Sequence, residues 1–320
     1  MLHTEIQRRL LLMRNSELKD ILLKCGWPVS GKKAVMAEQI QTKLPHSRLA
    51  VLQRSKSGAL VPAAEQPAEH RILSLDMGIK NLALSVLKVS PKDLSSSDAL
   101  LPEILAWQRF SLFDLPPTPT VNPPDSLSLG AVGGDKFDFS AASLSPLATS
   151  LARRLVTVHS PTIIAIEKQR YRTMGSAAVQ EWTLRVNKLE AMLHAALRVL
   201  QEEGIWKRGL TCSVCPQRTT AFWLNQYGLL QGARIGSATK PLKVKLVRMW
   251  LEDGNAVEYD KDNATITETA SMFMKNSARS TSTAGEKLDD LADCLLQGLG
   301  IIHWERNRLE MSRQWGLEDS

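Results

Sequence analysis

Residues 71–87 read RILSLDMGIKNLALSVL. The apolar run Ile72, Leu73 and Leu75 ends in Asp76, the segment Met77-Gly78-Ile79-Lys80-Asn81 follows, and a second apolar run begins at once. Two such runs joined by a short turn containing Gly and Asn predict a β-hairpin. Asp76 then sits at the mouth of the hairpin among apolar neighbours, where a carboxylate is costly unless something pairs with it. A metal ion, a phosphate-bound cation and a structural Arg or Lys are the candidate partners.

Downstream of the hairpin, residues 103–113 (EILAWQRFSLF) alternate as a third strand, and residues 147–159 predict a helix with Leu151, Leu155 and Val158 on one face. TIIAI at 162–166 is nearly all apolar, as a buried central strand would be, and runs straight into Glu167. A basic stretch with Lys168, Arg170 and Arg172 leads to a helix over about 177–203, striped by Val179, Trp182, Val186, Leu189, Leu193, Leu197 and Leu200. A fifth strand at 210–214 and short helices at 218–227 and 241–252 precede the last helix, about 286–309. Asp289 and Asp293 lie four apart on that helix, beside its apolar stripe, so both are expected to be partly buried on one face. Like charges so placed repel, and a cation relieves them. Segments 114–146, rich in Pro, Ser and Gly, and 253–283, polar, are expected to be mobile insertions.

The amino-terminal part has its own pattern. Asn15 or Ser16 can cap a helix carrying Leu18, Ile21 and Leu22, and Gly26, Pro28 and Gly31 break it. Lys32 and Lys33 open a second helix with Val35, Met36 and Ile40. Two short helices around a glycine turn with lysines at the second start resemble the SAP motif, a small DNA-binding module; the plainer alternative is an αα-hairpin docked on the main domain. The expected organisation is a SAP-like unit at 1–45, a linker at 46–70, an α/β domain at 71–310 and a tail at 311–320. On this reading, removing residues 1–45 weakens DNA affinity and its salt dependence but leaves the chemistry of the acids intact.

Composition narrows the classes. A hydrophobic fraction of 43% over 320 residues supports one large domain plus a small one. The net charge of +7 favours a polyanionic partner. Four scattered cysteines do not form a disulfide framework, and the pair Cys212 and Cys215 lacks the second pair a structural zinc site needs. No apolar run reaches the roughly 18 residues of a membrane-spanning helix. The first residues carry arginines but no legible targeting signal.

If Asp76, Glu167, Asp289 and Asp293 converge, they form an all-oxygen site for hard divalent ions, Mg²⁺ or Mn²⁺, which can support in-line displacement at phosphorus. Each alone has a plain reading: a turn residue at a strand end, a solvated acidic pair, a surface charge run. Their joint placement in this element order carries the inference.

RILSLDMGIKNLALSVL, IIAIEKQRYRTMGSAAVQEWTLRVNKLEAML and GEKLDDLADCLLQG together resemble the fungal mitochondrial Holliday junction resolvases, relatives of the bacterial RuvC resolvase. The resemblance implies an α/β, ribonuclease H-like core with a mixed five-stranded sheet and flanking helices. It implies a mitochondrial homodimeric endonuclease of DNA recombination that cuts four-way junctions by paired nicks, with two Mg²⁺ (or Mn²⁺) per site and neither membrane nor nucleotide cofactor. Carried over by position, Asp76, Glu167, Asp289 and Asp293 are the catalytic metal ligands, with Asp290 a supporting group. Lys32, Lys33, Lys80, Lys168, Arg170, Arg172, Lys243 and Lys245 are the expected DNA-binding set.

Two alternatives stay open. One is a junction-binding protein of the same fold without chemistry. The other is an actin-like ATPase, whose phosphate loop LDMGIKN also resembles; a second glycine-bearing phosphate loop and a glycine-rich adenosine site are not found in the sequence.

Overall fold

The computed structural model describes residues 2–49, 52–54, 60–62, 66–96, 98–115, 137–169, 180–207, 209–229, 239–275 and 282–316. Three helices open the chain: α1 (Leu2–Leu12), α2 (Asn15–Lys24) and α3 (Lys33–Lys43). A hairpin of β1 (Leu52–Arg54) and β2 (Leu60–Pro62) follows, within the segment expected to be plain linker. The main domain then runs β3 (His70–Asp76), β4 (Leu82–Val89), α4 (Pro91–Ser95), β5 (Glu103–Phe110), α5 (Ala141–His159), β6 (Ile163–Glu167), α6 (Glu181–Glu202) and β7 (Leu210–Val214). It ends with α7 (Pro216–Gln226), α8 (Thr239–Asp253), β8 (Glu258–Tyr259), α9 (Ala264–Lys275) and α10 (Ser282–Gln314).

The sheet order is β7-β6-β3-β4-β5-β8, with β3, β4 and β5 antiparallel and β3, β6 and β7 parallel. It has six strands where five were expected, because two residues after α8 add β8 beside the start of β5. α5 and α6 cover one face, and α7 to α10 cover the other. β3 and β6 are buried on both faces, which is why they read as nearly unbroken apolar runs. The expected insertion at 253–283 is corrected: it contains β8 and α9, whose Ile266, Ala270 and Phe273 are buried, with Phe273 stacked on Trp107 at 5.0 Å. Interspersed Thr and Ser concealed an amphipathic helix, whose Thr269 is itself buried and donates to Trp107 O at 3.1 Å. Of the insertion at 114–146, residues 116–136 lie outside the described residues and the last six belong to α5. Among the described residues, no helix is long and apolar enough to cross a membrane.

α10 is the element that positions the site. Ser85 Oγ donates to Cys294 O at 3.0 Å, Trp107 Nε1 to Leu291 O at 3.0 Å and Trp223 Nε1 to Leu296 O at 2.8 Å. Gln297 Nε2 reaches Ser74 Oγ at 2.9 Å and the Leu75 and Ala165 carbonyls at 3.2 Å, tying the helix to β3 and β6 at once. Gly298 allows this close approach, since a Cβ there would lie 2.8 Å from Leu87 Cδ1 and 3.3 Å from Ser74 Cβ. Gly298→Ala is therefore expected to lower stability by about 1–3 kcal/mol through overpacking. Denaturant unfolding measures it; an unchanged midpoint would show that helix and sheet do not meet at this spacing.

The amino-terminal unit is docked, not tethered. Its core of Leu10, Leu18, Leu22, Met36 and Ile40 is closed by Met311 and Trp315 of the last helix and its end. The expected tail is therefore helix as far as Gln314. Gly26 ends α2 at φ +64°, and Trp27 N donates back to Leu22 O at 2.7 Å, a left-handed helix stop. The bare Gly26 backbone faces the Trp304 ring, where no Cβ would fit. The α2 start differs from expectation: Arg14 is the cap, and Glu17 Oε2 accepts its backbone N–H at 2.6 Å.

Candidate active site

Strand periodicity places the first two acids. Side chains alternate along β3 and β6, so Ile72, Ser74 and Asp76 share a face with Ile163, Ala165 and Glu167, the face that α10 covers. The two strands are parallel and in register, with Leu75 opposite Ile166, so both end in an acid at the same level. Asp76 stands within hydrogen-bond reach of Glu167. On α10, Asp290, Asp293 and Gln297 follow one another at helical spacing, and Gln297 fixes that stripe against the strands.

The electrostatics show how crowded the acids are. Burial holds the Asp76 carboxyl well above the usual range, and the hydrogen bond and charge of Glu167 and the charge of Asp290 raise it further. Burial pushes Asp293 up to about 7, against the pull of Lys243, with Asp76 and Asp289 adding to the rise. Asp290 is raised by burial and by Asp289, with Arg109 opposing. Buried like charges at this density hold protons or demand cations.

Three of the expected residues, Asp76, Glu167 and Asp293, thus meet. Asp289 and Asp290 stand differently from expectation. Asp290 is the neighbour whose charge reaches Asp76, while Asp289, buried, is held by Lys240 Nζ at 2.6 Å. The three-residue spacing of Asp290 and Asp293 was as visible in the sequence as the four-residue one. Lys243 also differs from expectation: it is no surface DNA contact, because its ammonium lies 2.6 Å from Asp293 Oδ1 and 2.9 Å from Oδ2 with the side chain largely covered. Lys32, Lys80, Lys168 and Lys245 are exposed, Lys33 is half-buried, and Arg170 and Arg172 lie outside the described residues. Sequence reasoning missed Lys240, Gln297 and Arg109, which bonds Asn81 Oδ1 at 3.0 Å and approaches Asp290 Oδ2 at 3.5 Å. Nothing in their local pattern marks them, because each acts on a residue distant in sequence.

Among the described residues, no three acid, His or Cys side chains already form a cage for a metal. The lysine ammoniums of α8 provide positive charge beside Asp289 and Asp293 instead. The donor set nevertheless fits a hard divalent ion: all oxygens, from three elements, under mutual repulsion. Asp289 Oδ1 and, beside Glu167 and Asp293, Thr219 Oγ1 are buried without hydrogen-bond partners among the described residues.

A pH dependence follows for the metal-free protein. Asp293 ionises near 3.8 when unfolded and at about 7 when folded, so the folded state holds the extra proton between the two. Stability from this group falls as pH rises through that window. In a chelator the wild type is expected to lose more melting temperature between pH 5 and pH 8 than Asp293→Asn, since the buried histidines that act in the opposite sense are common to both; equal losses would show that Asp293 is not buried among acids.

Comparison with known proteins follows the same lines. A family model described as mitochondrial resolvase Ydc2 / RNA splicing MRS1 matches residues 72–311. The curated "Cruciform cutting endonuclease 1, mitochondrial" of Schizosaccharomyces pombe (strain 972 / ATCC 24843) is 29% identical over 171 residues, 52% of this chain and 60% of that protein. The match thus spans less than two thirds of that relative. The protein of the same name from Saccharomyces cerevisiae (strain ATCC 204508 / S288c) is 26% identical over 263 residues, 74% of this chain and 69% of its own length. The crystal structure of the yeast mitochondrial Holliday junction resolvase Ydc2 superposes with a TM-score of 0.58 at 24% identity, over 94% of this chain and 97% of that one, and shares its fold.

Proposed function

Because the chain belongs to the mitochondrial resolvase Ydc2 / RNA splicing MRS1 family, we propose that it is a metal-dependent endonuclease that resolves four-way DNA junctions in mitochondria. The two curated relatives are named as mitochondrial cruciform-cutting endonucleases. The observation that carries the reading to this chain is the meeting of Asp76, Glu167 and Asp293, with Asp290 alongside, at the carboxyl ends of two parallel strands. The family description also covers RNA splicing. A protein that only bound nucleic acid would gain nothing from these acids, which repel phosphate.

Two divalent ions, Mg²⁺ or Mn²⁺, would supply activation of water and charge neutralisation at the phosphate during in-line displacement. Asp76, Glu167, Asp293 and Asp290 would hold them, with Asp289 as a further ligand once Lys240 turns away. Lys243, beside Asp293, is placed to carry positive charge toward the phosphate as the acids take up metal. Gln297 keeps the α10 acids level with the strand ends. Exposed Lys80 and Lys168 flank the acids in sequence and offer salt-sensitive contacts to the DNA backbone. One chain brings one cutting site, so paired nicks need two copies, and we propose a homodimer.

The test is incubation of the chain with a mobile four-way junction, a linear duplex and a flap, with Mg²⁺ or with chelator. Symmetric, Mg²⁺-dependent nicks confined to the junction are expected. Junction binding with no cleavage in any divalent metal would leave a binding protein and refute the enzyme.

A further inference from the structure

Away from the acids, between the amino-terminal unit and the edge of the sheet, lies a cleft of about 460 Å³. Its floor is β7 and the Cys212–Cys215 segment, one wall is Gly26, Trp27 and the end of α3, and the other is Trp304 of α10. Three cationic side chains line it: Lys43, Arg48 and Arg218. Among the described residues, no acidic side chain does. The carboxylate behind the wall, Glu305, is already engaged by Arg308 at 2.8 Å and approaches Arg48 only at 3.9 Å. Arg218 donates to the Gly26 carbonyl at 3.3 Å, Lys43 to Gln39 Oε1 at 3.3 Å, and Arg48 lies over the Trp304 ring at 5.5 Å. Neutral partners thus hold Lys43 and Arg218 without cancelling their charge, while Arg48 is partly balanced by Glu305, whose Oε2 also accepts the Arg48 backbone N–H at 3.2 Å. Accordingly the Lys43 ammonium is depressed, by burial first and then by Arg218 and Arg48. Trp304, 3% exposed, carries a buried indole N–H with no acceptor among the described residues.

Lys43 and Arg218, at a partly apolar cleft and with no carboxylate of their own among the described residues, lack an anion. We propose that this cleft binds a phosphate group, held by Lys43 and Arg218 with Arg48 beside them. Phosphate suits the forked guanidinium groups, which can bind two of its oxygens at once. The cleft adjoins the acids through α7, whose first turn puts Arg218 in the cleft and Thr219 beside Glu167 and Asp293. The phosphate can belong to a strand of bound DNA or to a small phosphorylated molecule. The inference stands on the cleft alone and does not require that the chain cut junctions.

The experiment uses the full chain as wild type, Arg218→Gln, and Lys43→Gln with Arg218→Gln, all checked to melt alike. Pyrophosphate binding by calorimetry is one arm. Affinity for a four-way junction in chelator, across a salt series, is the other. If the phosphate is on DNA, the double variant is expected to bind the junction roughly tenfold more weakly at low salt, with the salt slope reduced by about one. If it is on a small molecule, pyrophosphate binding is lost and junction affinity is kept. Either result supports the cleft, and Arg218→Lys should recover part of the loss. Should the double variant melt differently, Arg218→Gln alone decides, with a smaller loss expected in the same arm. Pyrophosphate and junction affinities equal to wild type would overturn the proposal.

Discussion

Asp76→Asn is expected to reduce junction cleavage by roughly a thousandfold or more while junction binding persists, since ligand oxygens supply several kcal/mol of charge stabilisation in such sites. The same substitution should raise the melting temperature of the metal-free protein. Asp76 is buried against Glu167 and near Asp290, so its charge opposes folding until a cation arrives. A residue kept only for structure would behave oppositely, losing stability on substitution. Junction cleavage rates, binding in chelator and melting curves separate the cases. A variant that cuts at the wild-type rate removes Asp76 from the chemistry.

Deleting residues 1–45 is expected to lower the melting temperature by roughly 10 °C or more, as loss of several kcal/mol would in a domain of this size. This replaces the expectation from sequence that the unit could be removed without touching the acids. Leu10, Leu18, Leu22 and Met36 share a core with Met311 and Trp315. Asn307 donates to Lys24 O at 2.8 Å, and the fully buried Arg308 donates to Leu44 O at 2.7 Å. All these anchors sit on α10 or its end, the helix that carries Asp290 and Asp293. A truncated chain exposes that surface and loosens α10 from its far end. DNA binding by the unit is better tested with Lys32→Gln, exposed, and Lys33→Gln, half-buried, at the start of α3. A truncated chain melting like the full one would make the unit an independent module after all.

The strands that carry acids were legible because burial on both faces leaves an almost unbroken apolar run, and an acid ending such a run stands out. The register that sets Asp76 beside Glu167 follows from parallel pairing, which no local pattern announces. Asp289 and Asp290 differ by helix rotation: a one-residue step, about 100°, turns Asp290 toward Asp76 and Arg109 and Asp289 toward Lys240. α9 reads as loop because four Thr and Ser residues, Thr269 on the buried face among them, dilute Ile266, Ala270 and Phe273. Lys243 was read as a DNA contact because a basic segment looks the same whether its charges meet phosphate or a carboxylate fifty residues on. Long-range polar pairing is what a single sequence conceals.

The most direct measurement is equilibrium binding of Mn²⁺ to the full chain near neutral pH, read by calorimetry and by loss of the free-ion electron paramagnetic signal, in wild type and in Asp76→Asn. Saturable binding by the wild type, with proton release and a marked loss in the variant, is the expected result. Absence of saturable binding, or the same isotherm from both proteins, would contradict a metal site built on these acids.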